Sequence, residues 1–180
     1  WEPSTNGIGN DSTRVSRTSI ADLERAKNHL MSTYNYDPGD YKDFGSFPSK
    51  NYKIFGKIDW NISKNHKFSA RYNRLRNDSR TLTNASSGPP NVPRSSNGRV
   101  SYYSIAFSNS FYTETNSVDA FSAELNSTFG NRISNKFLIS YTMVTDPKRS
   151  STSDIFPFVD IYKDGNPYMS FGYELFTYRN

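Results

Sequence analysis

The 180-residue chain contains no cysteine, which removes both a disulfide framework and any thiolate metal site and leaves the redox compartment open. It has no run of about 18 apolar residues, so no transmembrane helix is encoded; transmembrane strands, whose signal is far weaker, stay open. Histidine is nearly missing too, with His29 and His66 alone. A hydrolase needs a nucleophile beside an activated base, and neither histidine has such company: His29 falls in a helical stretch and His66 in a short turn. No Gly-x-Ser-x-Gly, phosphate loop or dinucleotide fingerprint occurs, so no catalytic residue and no cofactor are expected. The start, Trp1-Glu2-Pro3-Ser4, has no methionine and no signal-peptide succession, and reads as the interior of a longer chain. The net charge of +5 is scattered. Its one cluster, Arg71, Arg74, Arg76 and Arg80, is no phosphate-tracking tract, which argues against a nucleic-acid partner.

Aromatics, by contrast, are abundant at 16%, with 13 Tyr and 13 Phe, although only 34% of residues are hydrophobic and mean hydropathy is -0.79. Disordered chains are poor in rings, so this is a polar protein organised around them. Ser, Thr, Asn, Tyr and Phe favour strands joined by polar loops, and the expected class is all-β. Residues 1 to 17 read as a loop or a poorly ordered end. One helix follows near 19–34. Ser19 or Thr18 caps it, Asp22 and Glu24 suit its first turn, and Ile20, Leu23, Ala26 and Leu30 fall near helical spacing. It stops before the turn Asp37-Pro38-Gly39.

From Tyr52 the period becomes two. Tyr52, Ile54, Gly56, Ile58, Trp60 and Ile62 share one face, against Lys53, Lys57, Asp59, Asn61 and Ser63, with Phe55 the exception. After the turn Ser63-Lys64-Asn65-His66, Phe68, Ala70 and Tyr72 oppose Lys67, Ser69, Arg71 and Asn73. Residues 76 to 115 break the pattern and read as a long excursion containing Asn84-Ala85-Ser86-Ser87-Gly88-Pro89-Pro90 and Pro93. Alternation resumes with Phe121, Ala123, Leu125 and Phe129, turns at Gly130-Asn131-Arg132, and returns through Phe137, Ile139, Tyr141 and Met143, with Leu138 out of phase. Phe158 to Tyr162 and Tyr168 to Tyr173, about Asp164-Gly165, form a further small hairpin.

Strand, short turn, strand and long loop thus occur twice, the plan of outer-membrane barrels, whose strands join by short inner turns and long outer loops. The expected fold is therefore an antiparallel transmembrane β-barrel section with long extracellular loops and one short loop helix. Residues 1–51 form an extracellular loop with the helix, 52–75 a first transmembrane hairpin, 76–116 a loop, 117–145 a second hairpin and 146–180 a last loop with the small hairpin. Trp60, Phe68, Phe129 and Phe137 lie near the short turns, as an interfacial girdle requires. The rival is a soluble or surface-attached β-rich binding domain, with glycans as one ligand class, since soluble antiparallel sheets alternate as well. That rival needs a second sheet over the apolar face, and few strands remain to build it.

Lys53-Ile54-Phe55-Gly56-Lys57-Ile58-Asp59-Trp60-Asn61-Ile62, followed by His66-Lys67-Phe68-Ser69-Ala70-Arg71-Tyr72-Asn73, resembles a barrel hairpin of TonB-dependent outer-membrane receptors. Ala21-Asp22-Leu23-Glu24-Arg25, Tyr34-Asn35-Tyr36-Asp37-Pro38-Gly39, Phe156-Pro157-Phe158-Val159-Asp160-Ile161 and Ser170-Phe171-Gly172-Tyr173-Glu174 narrow the resemblance to the Oar-like branch of Bacteroidetes-type bacteria. The resemblance implies a Gram-negative outer-membrane location and a plugged barrel that binds an extracellular ligand and moves it with energy from the inner membrane. It implies as partners the remainder of the barrel and its plug, outer-membrane lipid, and a TonB-type energy-coupling protein that docks through an N-terminal region lying outside these residues.

Candidate ligand-binding residues are the loop aromatics Tyr102, Tyr103, Phe111 and Tyr112, whose rings suit a sugar or a peptide, and Arg74 and Arg76, which suit an anion. Packing of the loops against one another is the competing role for the rings, and ordinary lumen charge for the arginines. Asp37, Asp40 and Asp43, like Asp154, Asp160 and Asp164, supply oxygen ligands for calcium in principle, but their spacing is not that of an EF-hand; turn formation is the expected role and no metal ligand is assigned.

Overall fold

The computed structural model describes residues 1–84, 98–151, 153–174 and 177, without the side chain of Asp146. The stretch from Ala85 to Pro93 in the expected outer loop lies outside the described residues. In chain order the elements are β1 (Glu2–Ser4), β2 (Val15–Ser19), α1 (Ile20–Tyr34), β3 (Ser49–Ser63), β4 (His66–Thr81), β5 (Ile105–Ala106), a 3-10 turn (Ser108–Ser110), β6 (Tyr112–Phe129), β7 (Ile133–Ser150), β8 (Val159–Lys163) and β9 (Asn166–Phe171). The protein is mostly antiparallel β-sheet with one short helix. Among the described residues no helix is long and apolar enough to cross a membrane, which says nothing of a β-barrel.

The chain divides into two units. One comprises residues 1–48, 80–114 and 149–180, the other residues 49–79 and 115–148. The second is built on a four-stranded sheet in the order β3-β4-β6-β7. Its β3–β4 pairing is antiparallel and sets Tyr52 opposite Arg76, Ile54 opposite Arg74, Ile58 opposite Ala70 and Trp60 opposite Phe68. Directly opposite residues share a face. Side-chain contacts carry the faces across the sheet: the Tyr72 hydroxyl donates to Asp119 at 2.6 Å and His66 meets Ser127 at 2.9 Å on the first face. On the other, Lys136 pairs with Glu124 at 3.0 Å. Period two then places Phe121, Ala123, Leu125 and Phe129 of β6 and Phe137, Ile139, Tyr141 and Met143 of β7 with Ile54, Ile58 and Trp60. The reverse face carries Lys53, Lys57, Asp59, Arg71, Glu124 and Lys136, with Phe55, Leu75, Val118, Leu138 and Val144 interrupting it.

The strands outrun the alternation seen in the sequence. β4 continues to Thr81 and β6 starts at Tyr112, within the stretch read as a 76–115 excursion, while β7 spans Ile133–Ser150. Apart from Tyr112, Ile133 and Pro147 the extra residues are polar, so periodicity is silent there and backbone pairing decides.

The other unit has its own core of Leu23, Leu30, Tyr36, Tyr41, Ile105, Phe107, Tyr168, Met169 and Phe171. Ser19 caps α1, its side chain accepting from Asp22 N at 3.2 Å. Asn35, in the left-handed region at φ 52°, ends the helix with a backbone bond to Leu30 O. The helix turns Leu23 and Leu30 into the core, with Ile20 and Ala26 packed beside them. A three-stranded sheet in the order β5-β9-β8 forms the other wall. Its β8–β9 hairpin turns on Asp164 and Gly165, both at positive φ (54° and 75°), the signature of a type I′ turn.

The N-terminal segment departs from the expected loop. β1 and β2 pair in parallel, and Ser16 and Thr18 are fully buried. Their hydroxyls donate to backbone carbonyls, Ser16 to Tyr102 O at 3.0 Å and Thr18 to Tyr168 O at 2.7 Å. A polar segment therefore enters the core with the hydroxyls of Ser16 and Thr18 hydrogen-bonded, which hydropathy does not reveal.

Candidate functional site

The four-stranded sheet presents an apolar face and a charged face, and both are open. Every residue of β3 is exposed. On the apolar face Ile58 is 66% exposed, Trp60 60%, Phe137 59% and Tyr141 65%. The edges β3 and β7, of 15 and 18 residues, have no strand outside them among the described residues. Among the described residues the sheet is thus amphipathic, with its apolar face uncovered and both edges unpaired.

The six expected ligand-binding residues separate into three places. Tyr102 and Tyr103 lie together at the partly open surface of the globular unit, their ring centroids 5.0 Å apart, with Trp1 6.4 Å from Tyr102. Cations surround them: Arg14 stands 5.2 Å over Trp1 and Arg17 5.3 Å over Tyr103. Arg17 also lies 5.7 Å from the Tyr168 ring, donates to Lys163 O at 2.6 Å and faces Asp164 at 3.6 Å. Phe111 and Tyr112 are buried. Phe111 packs edge-on to Phe44 and Phe47, with Arg80 5.5 Å above it.

Arg74 and Arg76 belong to the sheet. Arg74 Nε lies 3.8 Å from Asp119, and Arg76 Nε donates to both oxygens of Asp78 at 3.1 Å. Both arginines share the face of Ile54 and Trp60, whereas Arg71 lies opposite Lys57 on the charged face. The cluster is therefore divided between the two sides of the sheet, because even and odd positions of one strand point to opposite faces.

The acidic runs are occupied structurally. Asp37 accepts from Gly39 N at 2.9 Å and pairs with Lys27 at 3.4 Å, as a turn residue does. Asp160 receives Arg99 in a two-pronged pair at 2.8 and 2.7 Å and the Ser170 hydroxyl at 2.7 Å. Arg99 also donates to Asn84 O and stacks 4.5 Å over Phe158. Arg99 was not visible as a structural residue in the sequence, because its partner lies 61 residues away. Among the described residues no group of three or more acidic or histidine side chains converges to hold a metal.

Local environment shifts several groups of the globular unit. The Tyr168 hydroxyl, donating to Asp22 at 2.6 Å, is the largest influence holding that carboxyl below its ordinary value; Ser19, Lys163 and Arg25 assist, and partial burial opposes. Burial pushes the Tyr36 phenol up to about 12. Burial also raises Tyr41, helped by its hydrogen bond to Glu24 at 3.1 Å.

Comparison with protein-family models and with curated proteins gives no match.

Proposed function

We propose that the chain forms a stretch of wall and outer loops of a TonB-dependent outer-membrane receptor of Oar-like type. The full barrel binds an extracellular ligand and passes it inward with energy coupled from the inner membrane. The observation that carries this reading is the open apolar face. Ile54, Ile58, Trp60, Phe121, Phe137, Ile139, Tyr141 and Met143 all stand exposed on it. Fully burying such a side chain is worth about 1.5–3 kcal/mol, and these eight are 45–66% exposed, so covering what is still open amounts to roughly 7–14 kcal/mol. That is comparable with the whole stability of an ordinary domain, roughly 5–15 kcal/mol. A bilayer covers this face, the remaining strands of the barrel cover both edges, and the charged reverse face lines the interior. The segments of the globular unit are then the extracellular loops, and Tyr102 and Tyr103 with their cations are its ligand-facing rings.

Circular dichroism of the chain refolded with and without detergent tests the membrane assignment. Cooperative β-sheet folding that requires detergent, or the remaining barrel strands, is the expected result. Cooperative folding of both units in plain buffer refutes it. The transport role is checked in cells, where any growth advantage given by the receptor should vanish when the TonB-type coupling protein is deleted.

One observation favours a second reading, a soluble or surface-attached binding domain: the globular unit has a core of its own around Leu23 and Phe107. That reading leaves the exposed apolar face of the long sheet without a cover.

A further inference from the structure

At the end of β4 away from its short turn, cations stand on the apolar side of the sheet. Arg74 and Arg76 lie six and eight residues beyond Phe68 on the same face, about 20 and 26 Å along the strand. Strand tilt of about 40° reduces these heights to about 15 and 20 Å, and a membrane-facing band is about 25 Å tall with rings at both margins. Long arginine side chains reach several ångströms further toward water, so the Arg76 guanidinium arrives at the upper margin and that of Arg74 lies just beneath it. Tyr52, opposite Arg76, supplies the ring there.

The arrangement favours an incoming anion. Asp119 and Asp78 are mostly covered, at 21% and 20% exposure, whereas Arg74 and Arg76 stand 44% and 46% exposed in front of them. Both hydrogen bonds from Arg76 to Asp78 leave from Nε, so its terminal Nη donors are not spent on that pair. Lys50, opposite Asp78 in the register, adds a third exposed cation. Three cations against two carboxylates leave an excess of positive charge. Tyr52, Ile54, Arg74, Arg76 and Asp78 line a recess of about 380 Å³.

We propose that this recess binds the phosphate of an anionic outer-leaflet lipid, whose acyl chains run down past Ile54. The inference rests on the barrel-wall reading. Arginine forks match phosphate oxygens in pairs, and charge-assisted bonds are the strong ones. Arg74 and Arg76 are thus assigned to lipid and not to the transported ligand.

The test uses the intact receptor in detergent micelles, with diphosphorylated lipid A as the probe and native mass spectrometry as the readout. Arg74→Gln with Arg76→Gln should lower retained lipid A more than about tenfold, since losing one charge-assisted contact alone is worth about that much. Arg74→Lys with Arg76→Lys should retain more of it than the Gln pair, and Lys53→Gln with Lys57→Gln, on the charged face, should match wild type. Equal retention by the Gln variant, equal binding of dephosphorylated lipid A, or displacement by inorganic phosphate each overturns the proposal. A fluorophore on Ile58→Cys, challenged with brominated lipid, examines the wall itself. Quenching without arginine-dependent retention sinks the lipid site alone, whereas absence of quenching sinks the wall reading and the site with it.

Discussion

Tyr168→Phe removes one oxygen from the place where α1 meets β9. The hydroxyl donates to Asp22 at 2.6 Å and accepts from Ser19 N at 3.1 Å, so it ties the cap and first turn of the helix to the sheet. A hydrogen bond to a charged group is worth about 1.5–3 kcal/mol, and a neutral one about 0.5–1.5 kcal/mol. Because Asp22 keeps Ser19 and two nearby cations, the lower half of the summed range applies, about 2–3 kcal/mol. The sign with pH follows from the depressed Asp22 carboxyl. Its contribution is present above its unfolded value near 3.8 and fades as the pH falls below that, through the still lower folded value. Wild type and Tyr168→Phe should therefore differ fully at pH 7, and the gap should narrow in strong acid to the pH-independent bond from Ser19 N. Denaturant titrations in detergent on a Trp60→Phe background leave Trp1, packed beside the globular core, as the reporter. A difference below about 0.5 kcal/mol at pH 7, too small for even one such bond, or a gap that does not narrow in acid, refutes the reasoning.

Gly172→Ala should be worse than a core truncation, because φ is +105° and a Cβ would stand 2.2 Å from Pro157 O; loss of the Trp1 unfolding transition, or its shift by more than about 3 kcal/mol, is expected. Tyr36→Phe should abolish a loss of stability between pH 10 and 12 that wild type shows, because a phenol raised to about 12 favours folding below the unfolded value and not above the folded one. Two pH units correspond to about 2.7 kcal/mol, read as the difference between the two proteins. Ile58→Arg, on the apolar face but nearer the inner margin than the midplane, should cost about 1–2 kcal/mol in a bilayer, whereas Lys57→Ala on the charged face should be near neutral; equal effects in lipid-refolding titrations contradict the two-faced wall.

Several features were legible in the sequence because they depend on neighbours along the chain. Alternation at Ile54, Ile58, Trp60 and again at Phe137, Ile139, Tyr141 fixes which residues share a face. Ser19 and the spacing of Leu23 and Leu30 mark the helix, and Asp164-Gly165 marks the small hairpin. Such signals are local, set by a period of 2.0 or 3.6 and by turn chemistry.

Tertiary structure decided everything that joins distant residues. Burial of Phe111 and Tyr112 beside surface exposure of Tyr102 is not encoded in residue type, since rings serve cores and binding surfaces equally. The parallel pairing of β1 with β2, the Arg99–Asp160 pair and the tie from Tyr168 to Asp22 span 13 to 146 residues. Polar side chains carry no periodic mark of whom they will meet. Their partners emerge only when the backbone brings them within hydrogen-bond reach, so the sequence by itself determined the two faces of the sheet, and the fold alone determined how its polar residues are paired.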